Sequence, residues 1–337
     1  MSTAPACLSH SRGTITPALR AAVDRLDRRS RHQAAYHFGW ITAGGAPTSA
    51  DAGKAVRPAL ALLSAEAVGA QPQVALPGAV AVELVHNFSL VHDDLMDGDE
   101  ERRHRRTVWK LWGPSSAILT GDALLALAQE VLLDTGLPTA APAARLLART
   151  TRHLIRGQVQ DLAFEQRSHV TVEECVDMAA GKTGALLSAS AAIGAVLAGA
   201  PEATVDALAL YGDQAGVAFQ LVDDVLGIWG DPAVTGKPVH SDLRSRKKSL
   251  PVAHALNQEG PLGAELAAWL TTRGEPDEAQ LRRVAGLIEA AGGRDWALAE
   301  AARRMALAED ALRGVDLAAG ARDELLALGR FVVDRDV

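Results

Sequence analysis

Long stretches of this 337-residue chain place alanine and leucine at intervals of three and four residues. The runs Ala123 to Leu133 and Ala297 to Leu312 both have this spacing. Alanine and leucine are the strongest helix formers, and residues spaced in this way share one face of a helix. No run alternates with a period of two, as a half-buried strand does. The pattern therefore predicts an all-α fold.

Turn residues separate the predicted helices, but no segment is long or biased enough to separate domains. The breaks fall at Gly44–Pro47, Thr135–Pro138, Gly230–Pro232 and Arg273–Pro276, which all combine glycine with proline. Termini without apolar anchors are usually poorly ordered, so we expect a loose N-terminus over residues 1–15. Residues 16–337 are then expected to form a single helical domain.

Charge and composition exclude several classes of protein. The chain has 34 Lys plus Arg against 41 Asp plus Glu, a formal charge of −7, which disfavours nucleic-acid binding because phosphate backbones need a basic surface. Two cysteines, Cys7 and Cys175, are too few for a disulfide scaffold and indicate a reducing compartment. The apolar run Gly184–Ala200 is shorter than the roughly 20 residues of a spanning helix, so it predicts a buried helix rather than a membrane span. We expect a cytoplasmic protein.

Two aspartate clusters, far apart in sequence, are each followed by cations. The first, Asp93-Asp94-Leu95-Met96-Asp97, precedes the basic run Arg102–Arg106. The second, Asp223-Asp224, precedes a set of lysines and arginines: Lys237, Arg244, Arg246, Lys247 and Lys248. Like charges this close repel each other unless a cation neutralises them, and Mg²⁺ is usually held by one or two carboxylates together with substrate phosphates.

Helical spacing places two acids of the first cluster on one helix face. Residues four and seven apart share a face, so His86, Asp93 and Asp97 form one stripe. Taken alone, the first cluster also fits a solvated helix end, because charge runs are often exposed faces. The second cluster, again after an apolar run, argues against that alternative. The basic run is better explained by a phosphate-bearing small molecule than by nucleic acid.

The ordered set of motifs resembles the trans-isoprenyl diphosphate synthases, also called polyprenyl synthetases. Four elements carry the resemblance besides the aspartate clusters: Gly53-Lys54-Ala55-Val56-Arg57-Pro58, His86, Arg102-Arg103 and Gly157-Gln158-Val159-Gln160-Asp161-Leu162. The resemblance implies a helical bundle around a central cavity. It also implies Mg²⁺ as cofactor, with three ions per site, and a homodimer.

The resemblance also implies roles for individual residues. Metal ligands are expected at Asp93, Asp97 and Asp223. Catalytic residues are expected at Asp93, Asp94, Asp97, Arg102, Lys182, Asp223 and Asp224. Substrate contacts are expected at Lys54, Arg57, His86, Arg102, Arg103, Lys182, Thr183, Gln220, Lys237 and Lys247.

One position departs from the family pattern. The second cluster usually ends in a third aspartate, but here that position is Gly227. The next acid, Asp231, can join the same face only if the helix continues through Gly227 and Gly230. Either Asp223 alone is the essential ligand on this side, or metal affinity and even the reaction outcome change.

The implied reaction joins isopentenyl diphosphate to an allylic diphosphate. Phe88 lies five residues before Asp93, about 7.5 Å along a helix axis, where its ring can close the cavity. In the family such a floor goes with products of about C15 to C20, so we predict geranylgeranyl diphosphate first and farnesyl diphosphate second. The alternative interpretation is that Phe88 is an ordinary core residue with no role in product length. Two alternative functions remain: a terpene cyclase on the same fold, and a non-catalytic subunit of a heteromeric synthase.

Overall fold

The computed structural model describes residues 5–50, 53–232, 238–272 and 274–333, and they are almost entirely helical. The longer helices up to the middle of the chain are α1 (Ala6–Val23), α2 (Arg28–His37), α3 (Val56–Ala67), α4 (Leu76–Met96), α5 (Val108–Trp112), α6 (Pro114–Leu133), α7 (Ala140–Glu165) and α8 (Val172–Ala179). The later helices are α9 (Ala185–Leu197), α10 (Glu202–Trp229), α11 (Ser241–Arg244), α12 (Leu250–Leu256), α13 (Pro261–Leu270), α14 (Glu278–Ala290), α15 (Gly293–Arg313) and α16 (Ala319–Val333). A 3₁₀ turn (Pro72–Ala75) precedes α4, and a π-helical turn (Ala180–Gly184) joins α8 to α9. The prediction of an all-α fold is confirmed.

Helix α9 lies at the centre of the bundle. It packs against α3, α4, α7 and α10, while α4 also packs against α6 and α10 against α15. Most residues of α9 are buried, which confirms the buried helix predicted for the apolar run Gly184–Ala200. The two helices that carry the aspartate clusters, α4 and α10, therefore share one neighbour, and each cluster lies in the last turns of its helix.

The N-terminus differs from the expectation of a loose segment over residues 1–15. Helix α1 begins at Ala6, and Cys7, Leu8 and Ile15 are buried against the bundle. The spacing of Leu8 and Ile15, seven residues apart, places both on one helix face, where they anchor this segment to the core. The expectation was therefore wrong for residues 6–15.

Three helical segments are long and apolar enough to cross a membrane by length and composition alone: Pro72–Met96, Pro114–Leu133 and Val172–Leu197. In the first and third, 72% and 78% of the apolar window is buried inside the protein. In the second, which is α6, only 39% is buried, and Ile118, Leu119 and Leu133 are exposed. The apolar surface of the first and third segments thus packs into the core, whereas α6 leaves several apolar side chains exposed.

A short hairpin follows α4 where the sequence pattern predicted no strand. Its strands β1 (Glu101–Arg102) and β2 (Arg105–Arg106) pair antiparallel. Arg105 holds the hairpin in place, because its guanidinium donates hydrogen bonds to the carbonyls of Tyr36 (2.8 Å) and Ile41 (2.9 Å). The ring of Tyr36 lies under the same guanidinium, 4.1 Å from its centre. The hairpin thereby fixes the arginine pair Arg102-Arg103 beside the end of α4.

Candidate active site

The first aspartate cluster divides its carboxylates between the surface and the interior. Asp97 caps the C-terminus of α4, and its N–H donates to the carbonyl of Asp93 (2.8 Å). Asp93 is half-buried and Asp97 exposed, whereas Asp94 is buried and accepts a hydrogen bond from Arg102 Nε at 2.7 Å. Asp93 and Asp97 are thus accessible to a ligand, and Asp94 anchors the hairpin.

The surroundings of the accessible carboxylates Asp93 and Asp97 disfavour their ionised forms. Burial raises the pKa of Asp93 to about 6, with Lys182 acting to lower it and Asp97 to raise it again. Burial also raises the pKa of Asp97, and the nearby Asp161 raises it further. Carboxylates that repel one another in this way are stabilised by a bound cation.

The second cluster divides its carboxylates in the same way. On α10, Asp223 is exposed, while Asp224 is buried. Asp224 accepts hydrogen bonds from Gln220 Nε2 (2.8 Å) and from the backbone N–H of Leu250 (2.9 Å). The Thr183 hydroxyl donates to Gln220 at 2.6 Å, so two residues predicted to bind substrate support Asp224 in this structure.

Lys247 accompanies the second cluster as Arg102 accompanies the first. Its ammonium lies 4.0 Å from the Asp224 carboxylate. Burial alone lowers the Lys247 pKa, but the surrounding carboxylates, Asp224 and Asp242 foremost, raise it above its ordinary value. Lys247 also interacts electrostatically with Asp97 of the first cluster. The structure therefore brings the two clusters together across one cleft.

A third ion pair lies near the first cluster. Lys182 donates to Asp161 at 2.6 Å and acts electrostatically on both Asp93 and Asp97. Lys182 belongs to the π-helical turn, and such turns often occur at functional sites. Gly157 allows this turn to approach α7, because a Cβ there would lie only 2.8 Å from the Lys182 Cα. The Gly157–Leu162 element thus positions both partners of the pair.

A cavity of about 440 Å³ adjoins the cleft. It is lined by cationic residues and a histidine predicted to contact substrate, by Asp223 and by apolar side chains. The cations and the histidine are Lys54, Arg57, His86, Arg102 and Arg103; the apolar residues include Leu90, Leu187, Phe219, Phe331 and Val332. A larger hollow of about 660 Å³ between α1 and α2 contains none of the predicted site residues, so volume alone does not identify the site.

His86 is a neutral group in this cavity rather than a cation. Burial lowers its pKa well below the ordinary value, and Arg57 lowers it further. Its Nε2 lies 3.4 Å from Arg57 Nη1. Burial raises the pKa of the neighbouring Glu83, which Arg57 and a hydrogen bond from Asn87 (3.0 Å) act to lower. Glu83 is the one acid besides Asp223 among the residues that line the cavity in the described part of the chain.

Some predicted residues lie elsewhere or outside the described ranges. Lys237 falls in the undescribed segment 233–237. Phe88 is buried and packs edge-on against His92 at 4.9 Å, and it does not line the cavity. Within the described residues, no three acidic, histidine or cysteine side chains form a ready-made metal cage.

Sequence reasoning missed other parts of the site. The sequence pattern did not indicate Glu83, and it indicated Asp161 only as part of the Gly157–Leu162 motif. The C-terminal helix α16 contributes Phe331 and Val332 to the cavity, and the Phe331 ring lies 5.3 Å from the Lys54 ammonium. No local pattern in α16 indicates this placement, because it depends on how the chain folds back over α3.

The chain is similar to several known proteins over most of its length. A farnesyl diphosphate synthase of Mycobacterium tuberculosis is 54% identical over 95% of this chain and 90% of its own length. A geranylgeranyl diphosphate synthase of the same organism is 42% identical over 93% of this chain and 91% of its own length. The crystal structure of a polyprenyl synthetase from Streptomyces coelicolor is 56% identical, with a TM-score of 0.94 over 97% of this chain and 99% of that chain. The sequence profile named Polyprenyl synthetase matches residues 40–288, so the chain belongs to the polyprenyl synthetase family.

Proposed function

We propose that this prenyltransferase binds an allylic diphosphate between its two aspartate clusters and isopentenyl diphosphate in the adjoining cavity, and joins them into a C15–C20 prenyl diphosphate. The observation that carries the proposal is the composition of one cavity. Lys54, Arg57, His86 and Arg103 line it together with Asp223, the accessible acid of the second cluster. A cationic pocket therefore adjoins an acidic wall, as two diphosphates held in different ways require.

The cavity residues suit a diphosphate held without metal. Guanidinium groups bind phosphate oxygens through paired hydrogen bonds, and Arg57 is half-buried beside His86. His86 is neutral in the free protein, so it enters as a hydrogen-bond donor. A diphosphate bound beside it favours the charged imidazole and raises its pKa. Glu83 opposes part of this positive charge and, by its charge interaction with Arg57, holds that guanidinium in place.

The cleft residues suit Mg²⁺, on which members of this family depend. Asp93, Asp97 and Asp223 offer hard carboxylate oxygens at the C-terminal ends of two helices, where the helix dipoles also favour cations. Asp93 and Asp97 repel each other in this structure, which a metal relieves. We propose that these three acids hold the metal ions, three per site. When bound, Mg²⁺ neutralises charge on the leaving diphosphate.

The remaining cations stabilise charge as the allylic C–O bond breaks. Lys182 lies in the π-helical turn and Lys247 follows α11, and both are already paired with acids of the site. Preorganised cations of this kind lower the barrier because they need no reorganisation during the reaction. The isopentenyl double bond then attacks the allylic cation, and a proton is lost to the released diphosphate. The chain needs no nucleophile for this chemistry.

The proposal also concerns the chain length of the product. The sequence favoured geranylgeranyl diphosphate, and that prediction is not confirmed. The farnesyl diphosphate synthase relative shares 54% identity, the geranylgeranyl synthase 42%, which supports farnesyl diphosphate as the main product. Phe88 remains the residue proposed to limit the length of the product chain. It is buried and lies about one and a half helical turns before Asp93 on α4.

Neither alternative function is favoured. A terpene cyclase has no use for a second diphosphate pocket, yet Lys54, Arg57 and Arg103 line one here. A non-catalytic subunit needs no intact acidic cleft, yet the carboxylates and their cation partners are all present among the described residues.

The test is to incubate purified protein with Mg²⁺, isopentenyl diphosphate and each allylic diphosphate in turn, and to identify products. We expect a linear C15–C20 diphosphate, and no turnover after chelation of the metal. An Arg57→Met variant provides the control, because loss of the cationic pocket raises KM for isopentenyl diphosphate and spares binding of the allylic substrate. A hydrocarbon product, or activity that depends on a second kind of chain, contradicts the proposal.

We also propose a homodimer that covers the exposed face of α6. Ile118, Leu119 and Leu133 are 45%, 63% and 53% exposed on one apolar helix, and a second copy of the chain packed there removes these side chains from water. We propose a cytoplasmic location, in which a second copy of the chain rather than a bilayer covers this face. A Leu119→Glu variant should sediment as a monomer. Dimers of this variant, at the same concentration as wild type, contradict the proposal.

A further inference from the structure

The missing third acid of the second cluster leaves a space that another carboxylate fills. A Cβ at Gly227 would lie 2.5 Å from Asp242 Cγ and 2.7 Å from Asp242 Oδ1. Distances this short mean that the Asp242 carboxylate lies against the Cα of Gly227, where a side chain at position 227 would begin. Positions 223 and 227 share a helix face, so Asp242 stands on the same face as Asp223.

The backbone holds Asp242 in this place. Helix α11 starts at Ser241, whose hydroxyl donates to the carbonyl of Gly227 at 3.2 Å. The preceding residue, His240, donates its N–H to the carbonyl of Ile228 at 3.2 Å. The Asp242 carbonyl in turn accepts the N–H of Lys247 at 2.9 Å. This network fixes α11 on the last turn of α10, so the position of Asp242 does not depend on its own side chain alone.

Asp231, the other acid considered for this role, is placed differently. Helix α10 continues through Gly227 but ends at Trp229, and Gly230 has an extended backbone with φ −67° and ψ 145°. Asp231 therefore leaves the helix face that carries Asp223. Meanwhile the charge of Asp242 acts on the buried members of the cluster, raising the pKa of both Asp224 and Lys247.

We infer that Asp242 supplies the third carboxylate of the second aspartate cluster, and helps to hold Mg²⁺ and the diphosphate against α10 in place of an acid at position 227. The inference rests on the proposed function, since it assigns a further residue to the same cleft. It also explains why position 227 is glycine in this chain. Any side chain at 227 competes with Asp242 for the same space.

The experiment uses the full chain with Mg²⁺ and inorganic diphosphate as probe. Binding is measured by calorimetric titration of Mg²⁺ at fixed diphosphate, and unfolding temperature is measured with and without the two ligands. The variants are Asp242→Ala, the isosteric Asp242→Asn, Gly227→Asp, and the exchange Gly227→Asp/Asp242→Ala. Asp231→Ala is the matched control, because it removes the same charge from a neighbouring position off the helix face.

We expect Asp242→Ala and Asp242→Asn to weaken Mg²⁺ binding by about 10-fold or more, the range found when residues that support a metal are removed. Asp231→Ala should bind as wild type. Gly227→Asp alone should also weaken binding, because the two carboxylates collide, and the exchange variant should recover most of the loss. A purely structural Asp242 lowers the unfolding temperature without ligand, and the exchange variant then recovers no binding.

Failure of this inference differs from failure of the proposed function. If Asp223→Ala abolishes Mg²⁺-dependent diphosphate binding while Asp242→Asn leaves it unchanged, the inference is wrong and the proposed function stands. If Asp223→Ala also binds normally, the cleft is not the metal site and both are wrong.

Discussion

The two aspartate clusters share a design and differ in how it is supported. In each, one carboxylate of the Asp-Asp pair is accessible and the other is buried with a cation: Asp94 with Arg102, and Asp224 with Lys247. The buried Asp94 accepts one hydrogen bond, from a side chain, and its Oδ2 has no partner in the described structure. The buried Asp224 accepts bonds from Gln220 and from the backbone of Leu250 as well.

This difference indicates two kinds of anchor. Arg102 also lines the cavity proposed for isopentenyl diphosphate, so under that proposal the first cluster is anchored by a residue that the second substrate contacts. The second cluster is anchored to the N-terminus of α12, within the helical core. We infer that substrate binding acts on the first cluster, whereas the second provides a fixed wall.

The largest expected effect is the loss of an accessible carboxylate from either cluster. Asp93→Ala and Asp223→Ala should each lower kcat/KM by at least about 10³-fold, because the charge on the leaving diphosphate is no longer neutralised. Steady-state kinetics at saturating Mg²⁺ measures this. Glu173→Ala, an exposed acid on α8, is the control and should be unchanged. Native turnover by either variant contradicts the shared role of the clusters.

The second prediction compares how much the buried aspartates Asp94 and Asp224 contribute to the free energy of unfolding. Asp224→Ala leaves the buried N–H of Leu250 without its acceptor, which costs about 1–3 kcal/mol. Asp94→Ala should cost less, because its partner Arg102 is 31% exposed and can turn to water. Urea unfolding of both variants gives the comparison. Asp224→Asn is the control, since its amide oxygen still accepts from Leu250, and a larger loss for Asp94→Ala reverses the assignment.

Much of this site was predictable because helical spacing is a local property. The stripe through His86 and Asp93 follows from residues close in sequence, whereas Lys54 and Arg57 were expected from the family resemblance. The structure gathers His86, Lys54 and Arg57 around one cavity. The split within each Asp-Asp pair was not predictable, because it depends on which partner a distant element offers. Asp242 illustrates this limit. No sequence pattern around Asp242 indicates a role in the site, and only the packing of α11 on α10 brings its carboxylate to Gly227.

A third prediction compares the aromatic residues that precede the clusters. Phe88 lies five residues before Asp93 and is buried, whereas Phe219 lies four residues before Asp223 and lines the cavity. Phe88→Ala should lengthen the products, because the smaller side chain opens the core beneath the cleft. Product analysis by chain length measures this, with Phe88→Leu to limit the destabilisation.

Phe219→Ala is the matched control for that experiment. Its ring borders the cavity proposed for isopentenyl diphosphate, so we expect a higher KM for that substrate with an unchanged product profile. An unchanged profile for Phe88→Ala rejects Phe88 as the floor. Longer products from Phe219→Ala place the growing chain along α10 instead of α4.

The smallest effects should come from cations that follow the second cluster but bond away from it. Lys248 donates to the carbonyl of Phe164 at 2.8 Å, and Arg246 packs over Trp269 while donating to Thr272 and Gly274. Arg246→Ala and Lys248→Ala should therefore leave kcat and KM unchanged and lower stability by about 1 kcal/mol each. Lys247→Met, one position away, should instead impair turnover, because its ammonium faces Asp224 and the cleft. If all three variants behave alike, the basic segment acts through its total positive charge. The distinction between Lys247, which faces the cleft, and Arg246 and Lys248, which bond elsewhere, is then wrong.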